Sequence, residues 1–237
     1  MKRLLFAAVL LFSFAPVLRA SESAPCGGAP PESLVTALLN QAPGLKADVL
    51  RLALNATRCA SAKGLVKRPD LLTVIDYSLP SDKPRLFTFN LAARKLVFIE
   101  LVAHGKNSGG NIANFFSNSP GSLATSIGLF VTADTYNGSN GYSLRLKGLD
   151  EGVNDMAFDR AIVMHGASYV SRAAVRALGR LGRSWGCPAV RSEMARKIID
   201  TVKGGTPIFA YYPDKNWLSQ SVFFRRGKDS GTAVATK

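Results

Sequence analysis

Cys187 stands in the run Arg183-Ser184-Trp185-Gly186-Cys187-Pro188, and upstream of it His165 closes the apolar stretch Ala161-Ile162-Val163-Met164. A thiol becomes a useful nucleophile when a neighbouring imidazole takes its proton and when N–H groups await the developing oxyanion. Both are on offer here. Gly182 and Gly186 permit tight turns, and the backbone N–H groups of Trp185, Gly186 and Cys187 are candidate oxyanion donors. Pro188 has no N–H, and it biases Cys187 toward extended backbone, which presents the sulfur outward. The second ring nitrogen of His165 needs an orienting partner: a backbone carbonyl, or an acid distant in sequence such as Asp134 or Asp155.

The only other histidine repeats the arrangement. Ile99-Glu100-Leu101-Val102-Ala103-His104-Gly105 is again an apolar run ending in His-Gly, and it opens a long Asn/Ser/Gly-rich loop to Thr125. Loops of that length are often functional, so His104 is read as lining a substrate cleft, as a second base or as an anchor for the loop. His104, Arg183, Gly166 and Tyr169 are the candidates for substrate contact. No metal and no cofactor is expected: there are two His, no Cys pair at two-residue spacing and no HExxH-type element.

These residues must be positioned by a mainly β domain. From Leu71 on, short β-branched and aromatic runs alternate with turn residues, predicting strands over 71–77, 85–90, 95–102, 126–132, 142–146, 161–164 and 207–212. Strands at this spacing argue for a β-sandwich or partly closed barrel. Two helices bracket Cys187. Ser171 caps the first, with Ala174, Ala177 and Leu178 on its apolar face before Gly179; Ser192 caps the second, with Met194, Ile198 and Val202 at helical spacing. Two more helices precede the strands: Pro31-Glu32-Ser33 leads into one with Leu34, Val35, Leu38 and Leu39 at helical spacing, Pro43-Gly44 breaks it, and a second runs from Leu45 to Cys59.

The chain divides into a leader over 1–20, a linker and N-terminal helical unit over 21–61, a catalytic domain over 62–215 and a C-terminal tail over 216–237. Met1-Lys2-Arg3, an uncharged run from Leu4 to Leu18 and Arg19-Ala20 form a secretory signal pattern, too short to cross a bilayer. The protein is therefore expected to be exported to the periplasm or cell envelope, without a membrane span and as a monomer. Three of the 14 net positive charges (Lys2, Arg3 and Arg19) fall in the leader, which leaves +11 on the mature chain. That charge attracts polyanions, but the aromatic residues are not interleaved with the basic ones as a nucleic-acid platform requires. In an oxidising compartment three cysteines cannot all pair within one chain. Cys26 and Cys59 could bridge each other and leave Cys187 free, or remain small buried residues.

Met164-His165-Gly166 followed by Gly182-Arg183-Ser184-Trp185-Gly186-Cys187-Pro188 resembles the catalytic motif of the L,D-transpeptidases, the YkuD-like family, and within it the murein L,D-transpeptidase catalytic domain branch. The resemblance runs from about Leu71 to Asp214 and takes in His104-Gly105-Lys106-Asn107-Ser108 and Asn114-Phe115-Phe116-Ser117-Asn118. It implies an L,D-transpeptidase-like β-sandwich with a few short helices, Cys187 as nucleophile, His165 as its proton partner, and Ser184 and Gly186 as the motif residues that shape the pocket; Trp185, a candidate oxyanion donor, stands between them. The implied substrates are peptidoglycan stem peptides. Cys187 would attack the carbonyl of the third residue of a tetrapeptide stem, expel D-Ala and pass the acyl group from the thioester to an amine. Water as acceptor would make a carboxypeptidase or a lipoprotein-detaching peptidase instead, and a carbapenem would acylate the same thiol. A non-catalytic wall-binding module is the alternative outside enzymes. The chain departs from the commonest motif at Trp185, where a second His is usual, and at Pro188-Ala189, which replaces an aliphatic-Asn or aliphatic-Arg pair.

Overall fold

A computed structural model describes Cys26 and residues 28–224; the expected leader over 1–20 and the stretch from Arg225 on lie outside the described residues. The fold is mainly β. Nine strands form one sheet: β1 (Leu71–Asp76), β2 (Leu86–Asn90), β3 (Lys95–Glu100), β4 (Val102–Ala103), β5 (Gly128–Gly138), β6 (Gly141–Gly148), β7 (Val163–Ala167), β8 (Ala189–Arg191) and β9 (Pro207–Tyr211). Their order is β3-β2-β1-β9-β5-β6-β7-β8-β4. The two edge strands, β3 and β4, are consecutive in the chain with only Leu101 between them, so the sheet curls until its ends nearly meet.

Side-chain alternation along the strands divides the apolar residues between two cores. Val74, Phe87, Leu129 and Phe209 face one; their chain neighbours Ile75, Leu86, Phe130 and Ile208 face the other. The first core is closed by α1 (Glu32–Leu39) and α2 (Ala47–Ala62), which present Val35, Leu38, Val49, Leu50, Ala53 and Leu54 at helical spacing. The second is closed by α4 (Ser192–Val202) through Ala195, Ile198, Ile199 and Val202. Covered on both faces, β1 is buried at every position instead of alternating.

Several expectations shift in position. The run 95–102 breaks at Leu101, where β3 and β4 separate. The strand expected over 161–164 runs instead from Val163 to Ala167, which places His165 inside β7 and not at its end. α3 (Arg172–Leu178) is capped as expected, Ser171 Oγ accepting from Ala174 N–H and Gly179 ending it in the left-handed conformation. Ser192, by contrast, is the first residue of α4, and Arg191 takes the N-cap position without a side-chain cap. Residues 216–224 of the expected tail are part of the fold: α5 (Lys215–Gln220), capped by Asp214, buries Trp217, and Phe223 is buried beyond it. Cys26 and Cys59 form a disulfide that ties the N-terminal segment to α2.

Candidate functional site

His165 pairs with Ser143 of β6 on one side and with Ala189 of β8 on the other, the latter in parallel register. Carried back two residues, that register sets Cys187 beside Val163, and Val163 N–H donates to Cys187 Sγ at 3.4 Å. Met164 and Val190 point into the second core, so Val163, His165 and Cys187 share the opposite face of the sheet. The thiol and the imidazole are therefore diagonal neighbours one pleat apart. No hydrogen bond joins them here, as diagonal spacing leads one to expect before a substrate tightens the site.

Extended backbone at Cys187 was expected to turn the sulfur outward. The sulfur does leave the core, but the residue is only 9% exposed. The reason is the turn before β7, where Ala161 takes a left-handed φ of 54° and brings its carbonyl to 3.7 Å from Sγ. Burial pushes the thiol up from its ordinary value; the Val163 N–H and the Arg160 charge oppose that.

His165 donates from Nδ1 to its neighbour's carbonyl, Gly166 O, at 3.0 Å. A carbonyl only accepts, so Nδ1 carries the proton of the neutral ring and Nε2 is left free to receive one. Of the partners foreseen, the backbone carbonyl holds the ring and neither Asp134 nor Asp155 does. Burial lowers the imidazole's affinity for a second proton, and the Gly166 carbonyl partly offsets this.

The turn that carries Cys187 is held by Ser184. Its Oγ donates to Cys187 O at 2.6 Å and accepts from Gly186 N–H at 3.1 Å. The Gly186 N–H, one of three expected oxyanion donors, is thus committed. The N–H groups of Trp185 and Cys187 donate to no acceptor among the described residues. Glycine is required at both flagged positions. Gly186 has φ +124°, and a Cβ there would lie 2.8 Å from Ala124 O; a Cβ on Gly182 would lie 2.4 Å from Tyr169 Cβ.

A cavity of about 480 Å³ opens over this face, lined by Cys187, His165, Ser184, Trp185, Arg183 and Tyr169 together with Arg160. Its far wall is Tyr136 and the β5–β6 hairpin tip, Ser139-Asn140. Trp185 is 74% exposed at the rim. Of the four candidates for substrate contact, Arg183 and Tyr169 line the cavity; His104 and Gly166 do not. Gly166 backs onto Ser192 and Ala195 of α4.

His104 is 1% exposed and serves as a brace: Arg85 donates to its Nδ1 at 2.7 Å, and its Nε2 lies 3.4 Å from Gly109 O. Burial and the adjacent guanidinium hold its pKa at about 4, so it is neutral. Arg85, itself fully buried, also donates to the carbonyls of Val102 and Leu79. Among the described residues no group of three or more His, Cys, Asp or Glu is placed to hold a metal ion, and no helix is long and apolar enough to cross a membrane.

Residues 41–211 match the L,D-transpeptidase catalytic domain family. The chain belongs to that family. The matched span begins before α2, so it includes a helix that the motif resemblance left uncovered. No curated protein matches the chain. Solved structures similar to it include the L,D-transpeptidase from Mycobacterium smegmatis, 14% identical over 60% of this chain and 59% of its own, with a TM-score of 0.39. L,D-transpeptidase 1 from Mycobacterium tuberculosis is 15% identical over 60% and 62%, with a TM-score of 0.35. The helical cell shape determining protein Pgp2 from Campylobacter jejuni is 13% identical over 69% and 57%, with a TM-score of 0.41. The chain spans about 60% of the length of the two mycobacterial structures.

Missing from the sequence reading are Arg160, Tyr136 and the hairpin tip. Arg160 carried no signal beyond preceding an apolar run. Tyr136 and Asn140 reach the site only because β5 and β6 extend well past the apolar segments that mark them.

Proposed function

We propose that this member of the L,D-transpeptidase catalytic domain family is an exported cysteine acyltransferase acting on peptidoglycan. The observation that carries the reading is the pairing of a free thiol with an imidazole on one face of adjacent strands, at the floor of a cavity, with Nε2 of the imidazole unoccupied. His165 Nε2 accepts the Cys187 proton, and the sulfur adds to the carbonyl of the third residue of a tetrapeptide stem. The oxyanion forms where the Trp185 and Cys187 N–H groups are uncommitted. Collapse expels D-Ala, which takes the proton from His165 and leaves a thioester on Cys187. An amine from a second stem then resolves the thioester and restores the thiol.

Two guanidinium groups line the cavity, Arg160 and Arg183, and no carboxylate does. That polarity suits a donor bearing carboxylates, as stem peptides do. The Cys26–Cys59 disulfide and the leader pattern of residues 1–20 support export to an oxidising envelope compartment.

Purified mature protein incubated with tetrapeptide muropeptides is expected to release D-Ala and yield cross-linked dimers, and Cys187→Ala to do neither. Tripeptide monomers without dimers would replace the transferase by a hydrolase. No product, together with no acyl adduct on Cys187 after exposure to a carbapenem, would reduce the protein to a wall-binding module.

A further inference from the structure

Arg160 lies in the turn between the short 3-10 segment Asp155–Ala157 and β7. Its terminal nitrogens make four hydrogen bonds, all to neutral oxygens. Nη1 donates to Ser117 O and Ser126 Oγ, both at 2.6 Å; Nη2 donates to Ser122 Oγ at 3.0 Å and to Ala124 O at 2.8 Å. Among the described residues no carboxylate forms an ion pair with it. The guanidinium is thus fixed in place with its charge unbalanced, and Arg160 lines the same cavity as Cys187.

The acceptors all lie in the segment 117–126, and that segment meets the nucleophile's turn. Thr125 Oγ1 donates to Gly186 O at 3.1 Å, and Ala124 O is the atom that excludes a side chain at Gly186. Arg160 therefore sits where one cation both latches the support of the turn and lines the same cavity as Cys187.

The other groups around Cys187 cannot supply that charge. Tyr77, following β1, and Tyr169, following β7, are held protonated and neutral by burial, Tyr169 with a pKa of about 12. His165 is kept toward neutrality by burial. Arg183 lines the same cavity, but its Nη1 is engaged by Lys106 O and Gly109 O.

We propose that Arg160 is the fixed counter-charge of the Cys187 thiolate, a positioning residue that acts through the sulfur. As the proton passes from Sγ to His165 Nε2, the negative charge left on sulfur develops facing a cation that is already in place. Its positive charge favours the thiolate and opposes the effect of burial on the thiol. The inference rests on the proposed function only in taking Cys187 as the nucleophile.

The test is the pH profile of Cys187 alkylation by iodoacetamide, followed by intact mass on the disulfide-bonded protein. The reagent is uncharged, so a guanidinium does not steer it. Arg160→Gln is expected to move the midpoint up by about one pH unit, read as a roughly tenfold slower reaction near neutrality. Arg160→Lys should restore most of the shift, and Ser122→Ala, which removes one latch acceptor and keeps the cation, should leave the midpoint in place. Ser122→Asp sets a carboxylate against the intact Arg160; it should strengthen the latch and still raise the midpoint, which covers the case in which Arg160→Gln does not fold. A wild-type midpoint in Arg160→Gln or in Ser122→Asp, or equal shifts in Arg160→Gln and Arg160→Lys, would overturn the proposal. Because the readout is thiol titration, a normal set of shifts without any acyl adduct sinks the transpeptidase reading and leaves this one standing.

Discussion

In His104→Gln the amide can keep both contacts of the imidazole, accepting from Arg85 and donating toward Gly109 O, while the titration is removed. The wild-type ring is buried beside a guanidinium, and its pKa falls from the ordinary 6.5 to about 4. A depressed folded-state pKa means that the unfolded chain binds the proton more readily. The associated stability is present above about pH 6.5 and is lost as pH falls through about pH 4. Linkage across that window gives a loss of about 2 kcal/mol between about pH 7 and about pH 5. With a urea slope near 2 kcal/mol/M, that lowers the midpoint by about 1 M. Urea unfolding followed by the fluorescence of the buried Trp217 would measure it. His165 contributes in the same direction, while Asp76 and Asp150, raised by burial, act in the opposite sense; all three are common to both proteins and drop out of the difference. The expected result is that His104→Gln keeps about 1 M more of its midpoint than wild type over this range. Equal losses in the two proteins would mean that His104 is not held neutral by Arg85 and burial, and the bracing role would fall with it.

Arg191 makes a two-point contact with Glu100, Nε to Oε2 at 2.8 Å and Nη2 to Oε1 at 2.6 Å, where β8 meets the β3–β4 junction. Because Glu100 is 5% exposed, Arg191→Ala should cost about 3 kcal/mol in denaturant unfolding, and removing both partners together should cost less. Gly186→Ala forces a left-handed φ and a contact with Ala124 O; the expected loss is about 2 kcal/mol, with slower Cys187 alkylation at every pH. Replacing Cys26 and Cys59 by Ser opens a loop of sequence separation 33, so the melting temperature should fall by an amount equivalent to about 4 kcal/mol, and an unchanged melt would show that the bridge constrains nothing.

Most strands were legible because β-branched and aromatic runs between turn residues report local preference directly. β8 was not. It is three residues long, follows a proline and owes its pairing to β7 and β4, so nothing within it marks a strand. The helix after Ser171 was legible down to its caps, since capping is a local event among a few successive residues. α5 was missed because a single buried tryptophan, and not periodicity, anchors it. Two histidines sit in similar settings, each closing an apolar run before glycine, and the pattern left His104 open as cleft lining, second base or loop anchor. The fold separates them: His104 faces Arg85 in the interior, while His165 faces the cavity.

The sequence by itself determined the thiol and the imidazole, the glycines that let the chain turn at 182 and 186, the mainly β class and the family, because residue type and short-range sterics carry that information. Tertiary structure alone decided that Cys187 lies one pleat from His165 and that Arg160 lines the same cavity as the sulfur. Strand register and the packing of distant loops set those relations. They bring together residues 22 to 43 positions apart, and no local preference encodes the pairing.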